Sequence, residues 1–471
     1  MARRQYAWVF CLLLGMACCC KGKAVKSTDT VEAQQPDQPS MQKADDAAPA
    51  SSLDHAQEGS GQRPPGPLYL IVGGDVMLQM QLIEIVALQP EEENRAGGWK
   101  KFFHALEPIL AKVEKGGETA LIVNLESPVA EERQAPTSYP PVFNGPAEAL
   151  EGMKLAGVDY VTMANNHAFD QGRAGLGETM EAVRGAGLGI IGAGDGAGEA
   201  RKPVFVGDGK TVPRVAVLSY LLRPGDKGKE PEEKPAIALL DEASPGEVSQ
   251  AAGTDGVDAV VVIIHWIGEF VEKPRKAWKD AVEGLVGAGA DAVVCHGPHV
   301  VGPAEWIEKD GRKGFVAWSL GNLVANFGWE VYPTNTMSLQ EGKTSAQRKK
   351  TRCEALAVLE LVRSADESGS ALTKVSLYPL WLEDNRYASF RKGGAARAIF
   401  PMPIPSCSPE QKTGCPAGAK KKECPLRWEM IFEAGRTMVE GLWGKPWPGL
   451  QPCDEGLDAI DLPPMKVEFV F

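Results

Sequence analysis

Val158-Asp159-Tyr160-Val161-Thr162-Met163 runs directly into Ala164-Asn165-Asn166-His167-Ala168-Phe169-Asp170-Gln171-Gly172. The first six residues read as a buried strand. The next nine gather two carboxamides, an imidazole and a carboxylate just past that strand's end. In open α/β sheets this edge is where ligands and catalytic groups collect. The chain has only six histidines in 471 residues, so one placed here is informative. A polar turn capping the helix that starts near Arg173 is the competing reading, because Asn and Asp side chains do this routinely. The ends of the other strands separate the two.

Working outward, apolar runs predict strands at Leu68–Gly73, Thr119–Val123, Gly187–Ile191, Arg214–Ser219, Asp258–Ile264, Asp291–Val294 and Gly314–Trp318. Helical spacing predicts helices at Trp99–Lys115, Pro146–Ala156, Gly175–Ala186 and Arg275–Ala288. Glu354–Val362 and Leu372–Leu380 alternate as an antiparallel pair, and past about Ala395 the periodicity weakens. Strand–helix alternation of this kind predicts a layered α/β domain. Gly73-Gly74 and Gly192-Ala193-Gly194 lack the spacing of a P-loop or a dinucleotide fingerprint.

Five predicted strand ends carry polar groups: Asp75, Glu126, Asn166-His167, His265 and the His296/His299 pair. One such residue is what any turn looks like. Five, holding four of the six histidines, form the mix a dinuclear metal site needs, with a bridging carboxylate and imidazoles and an amide oxygen around it. Oxygen and nitrogen donors of this kind suit Mn, Fe or Zn better than Ca. Taken singly, Asp75 is also a helix cap, Glu126 a surface turn residue, and His265 a core histidine beside Trp266. His55 and His104 read as solvated or structural.

In order, Gly-Asp75-Val-Met, Asn124-Leu-Glu126-Ser-Pro, Ala-Asn165-Asn166-His167-Ala-Phe-Asp170-Gln-Gly172, His265-Trp266-Ile-Gly-Glu269-Phe, Cys-His296-Gly-Pro-His299-Val and Ser319-Leu-Gly-Asn322 resemble the CapA family of poly-γ-glutamate capsule proteins. The resemblance covers about residues 68–385. It implies a four-layer αββα sandwich like that of calcineurin-like metallophosphoesterases. It also implies a metal set of Asp75, Glu126, Asn166, His265, His296 and His299. His167 would be the general acid, Asp170 would orient it, and Glu269 would be a further catalytic carboxylate. The chain departs from the pattern twice. Met77 stands two positions after Asp75, where phosphoesterases place a histidine. Gly297 stands where the family places the first His of His-Pro-His, with a histidine one place earlier at His296. Either His296 reaches in instead or one metal position is weakened.

A net charge of −12 is the opposite of a nucleic-acid-binding surface. Arg3 and Arg4, the apolar run Tyr6–Ala17 and Ala17-Cys18 make residues 1–20 a lipoprotein-type signal, with plain secretion as the alternative. Residues 21–67 are rich in Ala, Gln, Ser, Asp and Pro and read as a disordered tether. A globular domain then spans 68–385 and a Cys-rich extension 386–471. Cys407, Cys415, Cys424 and Cys453 favour disulfides over a zinc knuckle, since no Cys-x-x-Cys pair occurs among them.

The sequence therefore predicts an extracytoplasmic, lipid-anchored protein with a metal cleft. Its partners would be an anionic polymer such as poly-γ-glutamate and capsule synthase subunits. Hydrolase-type handling of the polymer, a polymer-binding subunit without catalysis, and a phosphodiesterase or nucleotidase are the three functional readings.

Overall fold

The computed structural model describes residues 66–88, 95–138, 141–222, 234–326, 350–363, 370–384, 399–408, 423–448, 450–452 and 464–470. The predicted signal, nearly all of the predicted tether and the side chains of Cys415, Cys424 and Cys453 lie outside these residues.

The chain starts a first sheet with β1 (Leu68–Val76), β2 (Glu118–Leu125), β3 (Tyr160–Thr162) and β4 (Gly189–Ile191). It builds a second from β5 (Val204–Val206), β6 (Val215–Leu222), β7 (Ala259–Trp266), β8 (Ala292–His296), β9 (Ala304–Lys309) and β10 (Arg312–Ala317). It then returns to the first sheet with β11 (Asn322–Val324), β12 (Cys353–Leu361), β13 (Leu372–Asp384), β14 (Ile399–Pro403) and β15 (Val467–Val470). The first sheet runs β14-β13-β12-β1-β2-β3-β4, with β11 beside β1 and β15 beside β13. The second runs β9-β10-β8-β7-β6-β5. β1 to β4 are mutually parallel, as are β6, β7, β8 and β10.

Strand residues alternate between faces with a period of two. Leu68, Leu70, Val72, Ile122 and Ala357 of the first sheet meet Val217, Val261, Ile263, Val294 and Phe315 of the second in one buried core. Ile71, Leu121, Val123 and Val161 face the other way, onto helix residues such as Leu82, Ile109, Leu150 and Met180. Leu218, Val260, Val262 and Val293 pack on Val248, Trp278, Val282 and Leu285 of the helices behind the second sheet. The result is the expected αββα sandwich of four layers. Strands buried on both faces read as unbroken apolar runs, which is why Ala259–Trp266 shows no polar alternation.

Three details differ from the sequence reading. The single helix predicted over Trp99–Lys115 is instead the end of an α-helix at Arg95–Lys100, a 3-10 segment at Lys101–Leu106 and an α-helix at Glu107–Glu114. Pro108 explains the break: it lacks an N–H and belongs in the first turn of a helix. β5, β9, β11, β14 and β15 were not predicted. β14 holds two prolines in five residues, which an edge strand tolerates and a central one does not. β9 is also an edge strand, with Glu305 and Glu308 exposed. Beyond β14, residues of the C-terminal extension join the core between the sheets: Trp428, Ile431, Met438, Trp443 and Phe469 are all buried there. Cys407 is disulfide-bonded. Among the described residues no helix is long and apolar enough to cross a membrane.

Candidate metal centre

Because β1, β2, β7 and β8 are parallel strands of two facing sheets, their C-terminal ends meet at one rim. Asp75 lies at the end of β1, Glu126 just after β2, His265 near the end of β7 and His296 at the end of β8. His265 and His296 are register partners, so both imidazoles leave the same face of the second sheet. The face is the inner one, since Ile263 and Val294 two residues earlier belong to the core between the sheets. His299 follows in the next loop, and all five side chains are buried.

Two glycines make the approach possible. A Cβ on Gly74 would lie 2.3 Å from the Gly321 carbonyl oxygen, so its absence lets β11 come in beside β1 and bring Asn322 level with Asp75. Gly297 has φ +98 and a Cβ there would lie 2.1 Å from the Trp266 carbonyl oxygen. Its N–H donates to Asp75 Oδ2 at 3.3 Å.

Asp75, Glu126 and His265 each offer a donor atom, and these atoms lie within 4.8 Å of one another. His265 Nε2 is 3.5 Å from Glu126 Oε1. His299 Nδ1 is 3.2 Å from Asp75 Oδ2, and its Nε2 is 3.9 Å from Glu126 Oε1. His296 Nδ1 is 3.7 Å from Asp75 Oδ1. Neither oxygen of Glu126 and neither ring nitrogen of His296 has a hydrogen-bond partner, although all four atoms are buried. Buried polar atoms are nearly always paired, and four unpaired ones on two neighbouring rim residues are the kind of donor set that a cation can satisfy. A buried carboxylate–imidazole triad of this make-up can bind a divalent cation.

The electrostatics of these side chains agree. Burial works against the Asp75 carboxylate, but the His299 hydrogen bond and the fields of His296 and His265 outweigh it and hold its pKa well below the usual range. Burial and the neighbouring Asp75 charge push Glu126 well above its usual value. Burial takes His265 down to about 3 and also lowers His296. For His299 burial is outweighed by Glu126 and Asp75, and its pKa rises to about 9. Two carboxylates this close cannot both stay ionised without a positive charge beside them.

The opening motif forms the next wall. His167 Nδ1 is 2.8 Å from Asp170 Oδ2, and the same oxygen accepts the Phe143 N–H at 2.7 Å. The Phe143 ring lies 4.4 Å from the His167 ring, centroid to centroid. Asn165 is fully buried and Asn166 is exposed. Glu269 is exposed on the loop after β7, close enough for its charge to act on Glu126 and His299. That loop is tied to the His299 loop by Phe270 N–H to Pro298 O at 2.8 Å, and both Phe270 and His299 take left-handed φ values, +60 and +56. Met77 is buried against Phe143 and Ala325 in a small apolar cluster. Burial pushes the Cys295 thiol well above its ordinary pKa.

Asn124 and Asn165, which had no role in the sequence reading, and Asn322, read there as holding its loop by hydrogen bonds or lining the cleft, hold polar positions. Asn124 Nδ2 donates to Asp75 Oδ1 at 2.8 Å and lies 3.2 Å from His265 Nδ1. Asn165 supports Asn124, and Asn322 Oδ1 faces His299 Nδ1 at 3.0 Å. Their shared signal is a carboxamide at or just past the end of an apolar strand.

Residues 69–327, more than half of the chain, match the family described as bacterial capsule synthesis protein PGA_cap. The capsule biosynthesis protein CapA of Bacillus anthracis is 29% identical over 185 residues, 39% of this chain and 44% of that protein. The PGA biosynthesis protein CapA of Bacillus subtilis is 26% identical over 241 residues, 51% of this chain and 60% of that protein. The chain thus spans only about half the length of these curated relatives. A phosphatase from Mycoplasma pneumoniae superposes with a TM-score of 0.33 at 12% identity, covering 72% of this chain and 96% of that one, which is too loose to carry the assignment. On the match over residues 69–327, the chain belongs to the bacterial capsule synthesis protein family PGA_cap.

Proposed function

We propose that this protein acts outside the cytoplasm, held to the membrane through a lipid on Cys18, and handles poly-γ-glutamate or a related envelope polymer at a divalent-cation centre. Asp75, Glu126, His265, His296 and His299 would hold Mn, Fe or Zn, with Asn166 as a further donor from the exposed side of the turn. The observation that carries the reading is the pair of buried, unpartnered oxygens on Glu126 beside Asp75. Membership of a capsule synthesis family supports the polymer, and the two Bacillus relatives are named for capsule and PGA biosynthesis.

A bound cation would supply a water of lowered pKa and a positive charge at the scissile amide or phosphoester. The chain's own groups do the rest. Asp170 takes the Nδ1 side of His167 at 2.8 Å, which leaves Nε2 as the nitrogen that can hand a proton to a leaving group. Phe143 packs obliquely against that ring, with centroids 4.4 Å apart. Glu269, at the exposed mouth, is placed to meet an incoming amine or water rather than the buried cation.

Metal content decides first. The purified full chain, stripped with chelator and titrated calorimetrically with Mn and Zn, should bind at least one equivalent tightly; no binding to either overturns the centre. With metal bound, poly-γ-glutamate and a simple phosphodiester distinguish polymer cleavage or transfer from phosphodiesterase action. His167→Ala should remove at least a hundredfold of turnover while metal content and melting temperature stay within error. The replacement of a family histidine by Gly297 favours a second reading, a polymer-binding subunit without catalysis. It predicts retention of the polymer with no shortening of its chain length.

A further inference from the structure

We propose that Asn165 and Asn124 form a two-amide relay that fixes the ring proton of His265 on Nε2 and leaves Nδ1 as its lone-pair nitrogen.

The direction of the relay comes from the main chain, where an N–H can only donate and a carbonyl can only accept. The His167 N–H donates to Asn165 Oδ1 at 3.2 Å, and Asn165 Nδ2 donates to the Leu125 carbonyl at 2.8 Å. These two backbone groups set which way round the Asn165 amide stands. Asn165 Nδ2 also reaches Asn124 Oδ1 at 3.2 Å, so that atom has to be an acceptor. Thr162 Oγ1 donates to the same oxygen at 3.1 Å. Asn124 must therefore turn its Nδ2 to the opposite side, where Asp75 Oδ1 lies at 2.8 Å and His265 Nδ1 at 3.2 Å. A carboxylate oxygen accepts, which agrees with that orientation. A hydrogen on His265 Nδ1 would point at the amide hydrogens. The ring proton thus belongs on Nε2, which faces Glu126 Oε1 at 3.5 Å.

His299 is held the other way. Asn322 Nδ2 donates to the main-chain carbonyls of His299 and Thr351 at 3.4 and 3.3 Å. Its Oδ1 is left to accept from His299 Nδ1 at 3.0 Å, so that nitrogen carries a hydrogen. The two imidazoles of one centre thus meet their amides in opposite senses: Asn124 turns its Nδ2 to His265 Nδ1 and Asn322 turns its Oδ1 to His299 Nδ1, and the orientation of each amide traces back to backbone groups. Asn165 and Asn124 are positioning residues, since they act through His265. For ligation the inference rests on the metal reading: His265 would offer a cation its Nδ1, the nitrogen that faces Asn124.

The test uses the full chain labelled with 15N-histidine, stripped of metal and held near neutral pH. Long-range proton–nitrogen correlation spectra report which ring nitrogen is protonated, and His265→Gln and His299→Gln spectra assign the two rings. We expect His265 protonated at Nε2 and bare at Nδ1, with His299 protonated at Nδ1. A proton on His265 Nδ1 overturns the proposal, and this reading needs no relay variant to fold. Asn124→Ala should shift the His265 Nδ1 resonance toward that of an unbonded imidazole and leave His299 in place. An unmoved Nδ1 signal overturns the role of Asn124. Asn165→Ala should move the same resonance in the same direction by less, and no movement removes Asn165 from the relay. Because the spectra are taken without metal, a chain that binds neither Mn nor Zn sinks the metal reading and leaves the tautomer standing. A reversed tautomer with metal binding intact sinks only the relay.

Discussion

Glu354 is the residue whose chemistry the centre does not use. It lies in β12 with both carboxylate oxygens buried and without a hydrogen-bond partner. Burial pushes its pKa well above the usual value, more than the Arg352 charge lowers it, and Asp75 adds in the same direction. A raised pKa means that the native state keeps a proton which the unfolded chain loses above about pH 4.3. The associated stability is therefore complete below that pH and drains away as pH rises. Glu354→Gln has nearly the same shape and nothing to ionise. Urea unfolding of the two forms should agree near pH 4 and diverge upward, with the variant about 1–2 kcal/mol more stable at pH 7. Parallel curves across that range would mean that Glu354 is paired in solution. Nothing in the sequence marks Glu354, because one Glu in an alternating strand looks solvent-facing until the layer covering it is known.

At the scale of elements, the turn after β8 shows how one glycine determines what the rim can hold. Gly297 combines φ +98 with a Cβ position 2.1 Å from the Trp266 carbonyl oxygen. Gly297→Ala meets both obstacles and should cost about 2–3 kcal/mol in thermal or urea unfolding. Gly297→His, which restores the family's triplet, should destabilise at least as much and gain no metal equivalents. A stable Gly297→His variant with tighter metal would show that the β8 turn rearranges freely. The departure from the family pattern was visible in the sequence. Its reason was not, since the carbonyl that forbids a side chain here belongs to β7, a neighbour only in space. The same holds for β14, where two prolines argue against a strand until its edge position is seen.

At the scale of the molecule, the two sheets are held together by more than the segment that matches the family. Phe469 of β15 packs edge-on against Phe315 of β10, with ring centroids 5.2 Å apart. β15 belongs to the first sheet and β10 to the second, so the last strand pins one sheet to the other. Phe469→Ala should cost about 3–5 kcal/mol, as buried Phe truncations do, and should be read by urea unfolding at fixed pH. A cost under about 1 kcal/mol would place residues 464–470 outside the cooperative core. The C-terminal region looked like an extension because its apolar residues are spaced by prolines, glycines and lysines. Their common destination is a core whose other half is written more than a hundred residues earlier.

The strand–helix alternation, the polar strand ends and the opening Asn165-Asn166-His167 motif could all be read from the sequence, because each rests on local periodicity and residue type. These features sufficed for the layered α/β class and for most of the side chains at the rim. What only the tertiary structure decided is which atoms face which. It placed His265 beside His296 through strand register, and left both Glu126 oxygens without partners. It separated a buried Asn165 from an exposed Asn166, and turned two amides in opposite senses toward two histidines. Hydrogen-bond direction and burial are properties of neighbours brought together by folding, and no spacing along the chain encodes them.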